Sequence, residues 1–256
     1  MKLHFSKPDK QINDTFDNQS MIAFSHSDLK IAVQKKGHLH LVSKEIVRRE
    51  FEIDFTELQT EKSRRIVATK QAGDISVGFY FCRNKSILDL VAGGSVNIGV
   101  IGIDQVFERK KRDNLLILKS YKESYFWKMV IATPINSEIT TMDQIKTIAT
   151  QYPKITQNFL GEIGMGSVEI IPTAGSTEAM AYTTWENKNV DAVVDTLVSG
   201  NTMKENGMVV WNPPITATYP VLIINHQSAA NPKIRQIVEQ LNSAKTLDFE
   251  SLTSLF

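Results

Sequence analysis

The 256-residue chain is poor in cysteine and has no long apolar run, and each shortage excludes a class of protein. Cys82 is its only cysteine, so no internal disulfide can form and nothing indicates an oxidising compartment. No run approaches the ~18 apolar residues that a membrane-spanning helix needs, so we expect no membrane insertion. The N-terminus also lacks a charged segment followed by apolar residues. We therefore expect no signal peptide and a cytoplasmic protein.

A strong excess of one charge sign is also missing. The 29 basic and 28 acidic residues leave a formal net charge of +1. Proteins that bind the phosphate backbone of nucleic acids usually carry a clustered basic excess, so nucleic acid is not an expected partner. Hydrophobic residues make up 42% of the chain and charged residues 22%, which is typical of a globular protein with one large domain or two small ones.

Two features that can suggest a reactive or metal site are weak here. Cys82 follows Tyr80 and Phe81 in a strand-like run, where a lone cysteine is more typically a small core residue than a nucleophile. His38 and His40 form a His-x-His pair, but no third ligand can be identified nearby. The sequence therefore predicts no metal site made by protein side chains alone.

Short apolar runs alternate with helical periodicity from Leu29 onward. Residues 29–33 predict a buried strand, and a second series of the same kind begins near residue 129. Residues 1–27 are polar and aperiodic, which predicts an extension without core elements. Alternating strands and helices predict βαβ units in mostly parallel sheets, and two such series predict two small α/β domains with a ligand cleft between them.

Two local signals predict particular helices. Ser86 followed by Asp89 is typical of a capping box at a helix start. The pattern of residues 176–185 predicts a second helix, between two strands.

The most informative segment is 191–208, where an apolar strand ends in Asp195 and a Ser199-Gly200-Asn201-Thr202 turn opens a helix. Backbone N–H groups and the helix dipole at such a turn favour a dianionic phosphate, to which Ser199 and Thr202 add hydroxyl donors. An acid at the strand end can accept hydrogen bonds from ribose hydroxyls. The alternative interpretation is an ordinary strand, cap and helix in which Asp195 only caps the turn.

This segment resembles the 5-phosphoribosyl 1-pyrophosphate (PRPP) loop of ATP phosphoribosyltransferase. Further motifs similar to that family occur in the family's order: a first strand and loop at 31–39, a Gly-rich strand at 94–104, a strand-to-helix turn at 147–153 and Gly-Ser-Thr-Glu at 175–178. The resemblance thus extends over roughly residues 29–226.

The resemblance implies an α/β fold of two lobes of the type II periplasmic-binding-protein kind, with mixed, mostly parallel sheets and a cleft between the lobes. It divides the chain into an N-terminal extension (1–27), a nucleotide-side lobe (28–128 plus 218–256) and a PRPP-loop lobe (129–217). About 30 residues follow Asn225, too few for the regulatory domain of the family's long form. The short form is therefore expected.

The implied reaction is the first step of histidine biosynthesis. N1 of ATP displaces pyrophosphate from PRPP, with Mg²⁺ as cofactor bridging pyrophosphate oxygens. The implied partners are the two substrates and either a second copy or a regulatory subunit similar to histidyl-tRNA synthetase. No covalent nucleophile is needed, which agrees with the absence of any Ser-His-Asp or Cys-His arrangement.

The resemblance also assigns roles to individual residues. The predicted catalytic residues are Asp195 and Glu178. The predicted PRPP contacts are Asp191, Asp195, Ser199, Gly200, Asn201 and Thr202, and the predicted nucleotide contacts are Lys35, Lys36, Gly37 and Arg83.

The chain departs from the family's pattern on the nucleotide side, at His38, 84–86, Leu88 and 127–128. His38 stands where the family usually has Arg, and an imidazole cannot make a permanent bidentate contact to phosphate. Two alternatives therefore stay open: a PRPP-binding non-catalytic or regulatory homologue, and a phosphoribosyltransferase with another acceptor base.

Overall fold

The computed structural model describes residues 18–58, 65–109, 114–185 and 188–241. The helices are α1 Asn18–Ser25, α2 His38–Phe51, α3 Asn84–Ala92, α4 Ile103–Glu108, α5 Pro153–Glu162, α6 Thr177–Met180, α7 Asn201–Glu205, α8 His226–Ala230 and α9 Pro232–Glu239. Within these ranges, every helix is too short or too polar to cross a bilayer.

The strands are β1 Leu29–Gln34, β2 Val67–Ala72, β3 Ile75–Cys82, β4 Ile98–Gly102, β5 Leu115–Ser120, β6 Trp127–Pro134, β7 Thr147–Thr150, β8 Glu169–Pro172, β9 Thr184–Trp185, β10 Lys188–Asn189, β11 Ala192–Leu197, β12 Met208–Val210, β13 Thr216–Thr218 and β14 Pro220–Asn225. Short 3₁₀ turns lie at Thr56–Leu58 and Met142–Gln144.

The strands form two large sheets. Sheet one has the order β2-β3-β1-β4-β14-β5, and sheet two has the order β12-β6-β11-β7-β8 with β13 paired to β6. The chain crosses from sheet one to sheet two between β5 and β6, and it returns between β13 and β14. The two-lobe division into residues 28–128 plus 218–256 and residues 129–217 stays a proposal: the crossings fall near its bounds, but Trp127, Lys128 and Thr218 lie on strands of sheet two, and residues 242–256 lie outside the described ranges.

Both sheets are mixed, as expected, but the expectation of mostly parallel pairing is wrong. Three of the five strand pairings in each sheet are antiparallel. The βαβ units supply the parallel pairs, whereas the crossing strands β6 and β14 run opposite to the parallel strands of their sheets. Hydrophobic patterns alone do not reveal the direction of a strand.

The core follows from strands that are buried on both faces. Side chains of β1, β4 and β14 such as Ile31, Ile98 and Leu222 have no exposed surface, and they lie between helices on the two faces of sheet one. Burial of each such side chain contributes about 1.5–3 kcal/mol. The strand ends are thereby held in place, and the residues just beyond them are positioned precisely.

Three local predictions are corrected. Residues 18–25 form helix α1, although the first 27 residues were expected to contain no element; residues 1–17 lie outside the described ranges. Helix α3 begins at Asn84 with Arg83 as cap residue, so Ser86 lies in the first turn and does not cap it. The helix expected at 176–185 ends at Met180 and is followed by the small β9–β10 hairpin.

Candidate active site

A cavity of about 680 Å³ lies between the two sheets. Its walls are residues that follow the carboxyl ends of parallel strands: β1, β3 and β4 in sheet one and β7, β8 and β11 in sheet two. Ligands of open α/β sheets bind at this edge, because loops there leave the sheet in diverging directions. Of the predicted site residues, the cavity is lined by Arg83, Glu178, Asp195, Ser199, Gly200 and Thr202.

The Ser199–Thr202 turn has the geometry that a phosphate cradle requires. Gly200 has φ 79°, in the left-handed region, and the chain turns there from β11 into α7. The buried Met203 side chain anchors the helix against the core. The first turn of a helix leaves N–H groups without intrahelical partners, and here that turn lines the cavity. Asn201, the first residue of α7, is not among the lining residues and is exposed.

Asp195 stands on β11 at the cavity wall. Its Oδ1 accepts hydrogen bonds from the Thr196 N–H (2.7 Å) and from the Thr196 hydroxyl (3.4 Å). Burial raises the pKa of Asp195 to about 6; the Thr196 hydrogen bonds oppose this rise, and the nearby Glu178 carboxylate adds to it. Asp195 can therefore accept ribose hydroxyls as a carboxylate at neutral pH, close to its titration range.

Glu178 approaches the same space from the first turn of α6. Ser176, the residue before that helix, has φ 49°, so the chain enters α6 through a left-handed turn after Gly175. Glu178 and Asp195 both line the cavity, so the two carboxylates face a common region.

The structure does not bring Asp191 into the cavity. Its carboxylate accepts hydrogen bonds from the Lys146 and Thr147 backbone N–H groups (2.7 and 3.0 Å), at the opposite end of β11 from Asp195. The four intervening steps of the strand span about 13 Å. Asp191 therefore fixes β11 to β7, and its assignment as a PRPP contact is withdrawn.

On the sheet-one side, Lys35, Lys36 and Gly37 also lie outside the set of lining residues. Their neighbours Gln34 and His38 line the cavity instead. Gly37 has φ 84° and turns the chain into α2, and Gln34 Nε2 donates to the Lys36 carbonyl (2.7 Å). The two lysines are therefore close in sequence to residues that line the cavity, but they do not line it themselves.

Several lining residues were missed by sequence reasoning. Asp104, Gln105 and Tyr152 lie deep in the cavity wall, and Asp104 is only 1% exposed. Burial raises the pKa of Asp104, and hydrogen bonds from Thr218 and Gln105 oppose the rise. The only local signal was that Asp104 follows the Gly-rich strand β4; its partner Thr218 lies 114 residues away in sequence.

Trp127 also lines the cavity, at the start of the first crossing strand. Its ring meets the His38 ring edge-on, with centroids 5.8 Å apart and planes at 88°. This aromatic pair occupies the nucleotide-side wall at two of the positions where the chain departs from the family's pattern.

The donor set fits a magnesium ion only if the substrate supplies most of its ligands. Among the described residues, no group of three or more His, Cys, Asp or Glu side chains is arranged to hold a metal. Mg²⁺ is commonly bound by one or two carboxylates together with waters and substrate phosphates. Glu178 and Asp195 offer two carboxylates beside the phosphate turn, so they fit that arrangement.

Comparison with known proteins agrees with this site. The family model described as ATP phosphoribosyltransferase (HisG) matches residues 83–243. An ATP phosphoribosyltransferase from Natronomonas pharaonis is 27% identical over 222 residues, which are 86% of this chain and 74% of the relative. One from Clostridium novyi is 29% identical over 217 residues, 84% of this chain and 96% of the relative.

Solved structures support the fold. A chain of the ATP phosphoribosyl transferase HisG:HisZ complex from Thermotoga maritima has a TM-score of 0.56 at 22% identity, covering 82% of this chain and 98% of that one. A Candida albicans protein with the generic periplasmic binding protein fold has a TM-score of 0.52 at 13% identity, covering 83% and 69%. The expected periplasmic-binding-protein-like architecture is thus confirmed.

The family model covers more than half of the chain and includes the whole phosphate turn. This chain therefore belongs to the ATP phosphoribosyltransferase family, glycosyltransferases that condense ATP with PRPP in the first step of histidine biosynthesis.

Proposed function

We propose that the inter-sheet cavity holds PRPP on its sheet-two wall and ATP on its sheet-one wall, in the short-form catalytic subunit of this family. The observation that carries the proposal is the convergence of Asp195, Glu178 and the 199–202 turn on one cavity. The near-complete coverage of the Clostridium novyi relative supports the short form.

The 5′-phosphate of PRPP is assigned to the 199–202 turn. Ser199 and Thr202 supply hydroxyl donors. Gly200 adopts the left-handed backbone conformation of the turn, which a residue with a Cβ would adopt only with strain. Asn201 contributes its backbone N–H, since its side chain is exposed. A dianion is favoured there by N–H groups that point out of the helix start.

The ribose is assigned to Asp195, five residues before Gly200. A carboxylate accepts hydrogen bonds from the two adjacent ribose hydroxyls and thereby orients carbon 1 toward the opposite wall. Glu178 lies on the same wall, where it faces either the ribose or the pyrophosphate.

Glu178 and Asp195 are the residues that would hold a magnesium ion, since both carboxylates line the cavity beside the phosphate turn. When bound, Mg²⁺ would neutralise charge on the leaving group. It would thereby offset the repulsion between the two carboxylates and a bound pyrophosphate. Arg83 and Lys85, on the other wall, add positive charge for phosphate oxygens.

The chemical step is a displacement at carbon 1. The N1 lone pair of the adenine forms the new C–N bond, the C–O bond to pyrophosphate breaks, and its electron pair leaves with the pyrophosphate. The protein residues orient the two reactants and exclude water, so most of the acceleration comes from positioning and electrostatics.

A separate titration of each substrate tests the proposal. We expect PRPP with Mg²⁺ to bind by calorimetry, and the mixture with ATP to give an absorbance rise from phosphoribosyl-ATP. Thr202→Ala should raise the PRPP Kd about tenfold, because one phosphate hydrogen bond is lost. Thr183→Ala, an exposed threonine outside the cavity, is the control.

Two results would contradict parts of this assignment. PRPP binding without turnover of ATP, but with turnover of another purine, would move the chain to a different acceptor base. Lower stability of Thr202→Ala with unchanged PRPP affinity would show that the turn is only structural.

We also propose a regulatory partner chain. The structural relative from Thermotoga maritima is part of a HisG:HisZ complex, and this chain shares its fold. Low activity of the isolated chain, restored by a partner subunit similar to histidyl-tRNA synthetase, is the expected result; full activity of the chain alone would contradict it.

A further inference from the structure

The carboxyl group of Asp104 has partners that the proposed roles do not explain. It lies in the first turn of α4 with 1% exposure. The Thr218 hydroxyl accepts from the Asp104 N–H (3.3 Å) and donates to Asp104 Oδ1 (2.5 Å). Gln105 Nε2 donates to Oδ2 (3.1 Å). Burying a carboxyl group costs free energy unless the group is hydrogen-bonded in this way. The hydrogen bonds therefore strongly favour one relative position of Asp104 and Thr218.

One partner of Asp104 belongs to the other sheet. Thr218 is the last residue of β13 and pairs in register with Trp127, the first residue of β6, so it lies where the chain enters and leaves sheet two. Tyr152, just beyond β7, is buried and lines the same cavity as Asp104. One side chain that follows sheet one is therefore hydrogen-bonded to a residue of sheet two.

Glu108, one turn later on α4, makes a second connection of the same kind. Its two carboxylate oxygens accept from the Lys154 and Ile155 N–H groups (2.9 and 3.1 Å) at the start of α5. Asp104 and Glu108 thus fasten a single short helix of sheet one to sheet two at two points.

The backbone before Asp104 is adapted to this contact. A Cβ at Gly102 would collide with the Asp104 carboxylate oxygen, so a larger residue would push the carboxyl group away from Thr218. The Tyr152 N–H donates to the Thr150 hydroxyl (2.9 Å), which donates to the Val194 carbonyl (2.9 Å) just before Asp195. Because Glu108 holds the start of α5, which follows Tyr152 directly, these hydrogen bonds connect α4 with the strand that carries Asp195.

We propose that Asp104 is a positioning residue for the transfer reaction: by holding Thr218, at the point where β13 leaves sheet two, it sets the spacing between the ATP wall and Asp195 on the PRPP wall. The proposal rests on the proposed function of the cavity. It assigns no contact between Asp104 and the reacting atoms. Its effect on the reaction comes from the distance that the two substrates must bridge.

Thr218 offers a sharp test because one substitution removes its hydroxyl, another keeps it, and a second buried threonine serves as a matched control. Thr218→Val removes the hydroxyl at constant volume, and Thr218→Ser keeps it. Thr156→Val removes another fully buried threonine hydroxyl, one with no hydrogen-bond partner among the described residues. We expect a 10- to 100-fold lower kcat/KM for Thr218→Val, mostly in kcat, with recovery in Thr218→Ser and no loss in Thr156→Val.

A distance measurement makes the test independent of turnover. Spin labels at Leu41→Cys, on helix α2 beside sheet one, and at Val209→Cys, on β12 of sheet two, are both at exposed positions and report the spacing of the two halves. Cys82 is only partly exposed, and burial raises the pKa of its thiol to about 12, so we expect it to label slowly. We expect a broader or shifted distance distribution in Thr218→Val and in Gly102→Ala, whose Cβ would collide with the Asp104 carboxylate, and an unchanged one in Thr156→Val.

The outcomes separate this inference from the proposed function. If the unmodified chain binds neither substrate, the proposed function fails, whereas the distance distributions still report on the Asp104 contacts. An unchanged distribution and unchanged kcat in both Thr218→Val and Gly102→Ala would overturn the role of Asp104. Equal losses in Thr156→Val would do the same, because they would reflect core damage only. If Thr218→Val does not fold, Gly102→Ala decides alone.

Discussion

Asp195 is assigned a functional role, and burying its carboxylate lowers the stability of the folded protein. Because this cost depends on pH, stability and ligand binding can be measured separately. Its pKa is raised from 3.8 to about 6, mainly by burial. The folded state therefore binds more protons than the unfolded state between these values, and stability is lost as pH rises through about 6.

Asp195→Asn should therefore stabilise the protein at pH 8 while it weakens PRPP binding. The shift in pKa corresponds to at most about 3 kcal/mol, so we expect a Tm gain of several degrees that shrinks toward pH 4. Scanning calorimetry at both pH values measures it. The exposed Asp74→Asn is the control. An equal gain at pH 4 and pH 8 would show that the carboxylate charge is not the cause.

Gly200 tests the geometry of the phosphate turn. With φ 79°, an alanine there should cost about 1–2 kcal/mol of backbone strain and raise the PRPP Kd. Gly161→Ala, near the end of α5 with no atom within 4 Å of the added Cβ, should instead stabilise by about 0.5–1 kcal/mol. Urea unfolding and PRPP calorimetry measure both. Unchanged stability and affinity in Gly200→Ala would exclude a strained turn.

Site residues near one another in sequence were predictable, and those brought together only by the fold were not. The 199–202 turn follows from one strand, one glycine and one helix start. Asp104, by contrast, gains its meaning from Thr218, 114 residues later. Asp191 was wrongly included because a sequence does not show which end of a strand reaches the cavity.

At the scale of elements, local chemistry explains the start of α9. Asn231 followed by Pro232 is a pattern typical of a helix start, and Asn231 Oδ1 accepts from the Lys233 and Ile234 N–H groups (3.0 and 3.3 Å). Helix α1 was not predictable, because its place depends on tertiary contacts: Phe24 packs edge-on against Tyr80 with centroids 5.9 Å apart. Packing of this kind overrides weak propensity.

Asn231→Ala should cost about 1 kcal/mol of stability, because two N–H groups lose their acceptor. The helix is far from the cavity, so substrate KM values should not change. Denaturant midpoints and kinetics together check this. Asn158→Ala, at an exposed position inside α5, is the matched control and should be neutral or slightly stabilising. A changed KM in Asn231→Ala would contradict the separation of α9 from the site.

At the scale of the whole molecule, a ligand held between two sheets should stabilise both. At 100 times its Kd, PRPP should add about 2.7 kcal/mol, or roughly 5–10 °C in Tm. Hydrogen exchange should slow in β11 and α7 first, and also in α4, whose side chains are bonded to sheet two. Protection confined to β11 and α7 would show that PRPP does not couple the two halves.

The two crossings of the chain between the sheets also affect the order in which the sheets can form during synthesis. Sheet two is built from one continuous stretch, residues 127–218, whereas sheet one needs β14, which is synthesised after all of sheet two. Strand β5 pairs only with β14 among the described strands, so it has no neighbour while the ribosome is still producing the other half. Domains generally fold as units during synthesis. The PRPP wall can therefore be complete before the ATP wall, and the last strand to emerge closes the first sheet that was begun.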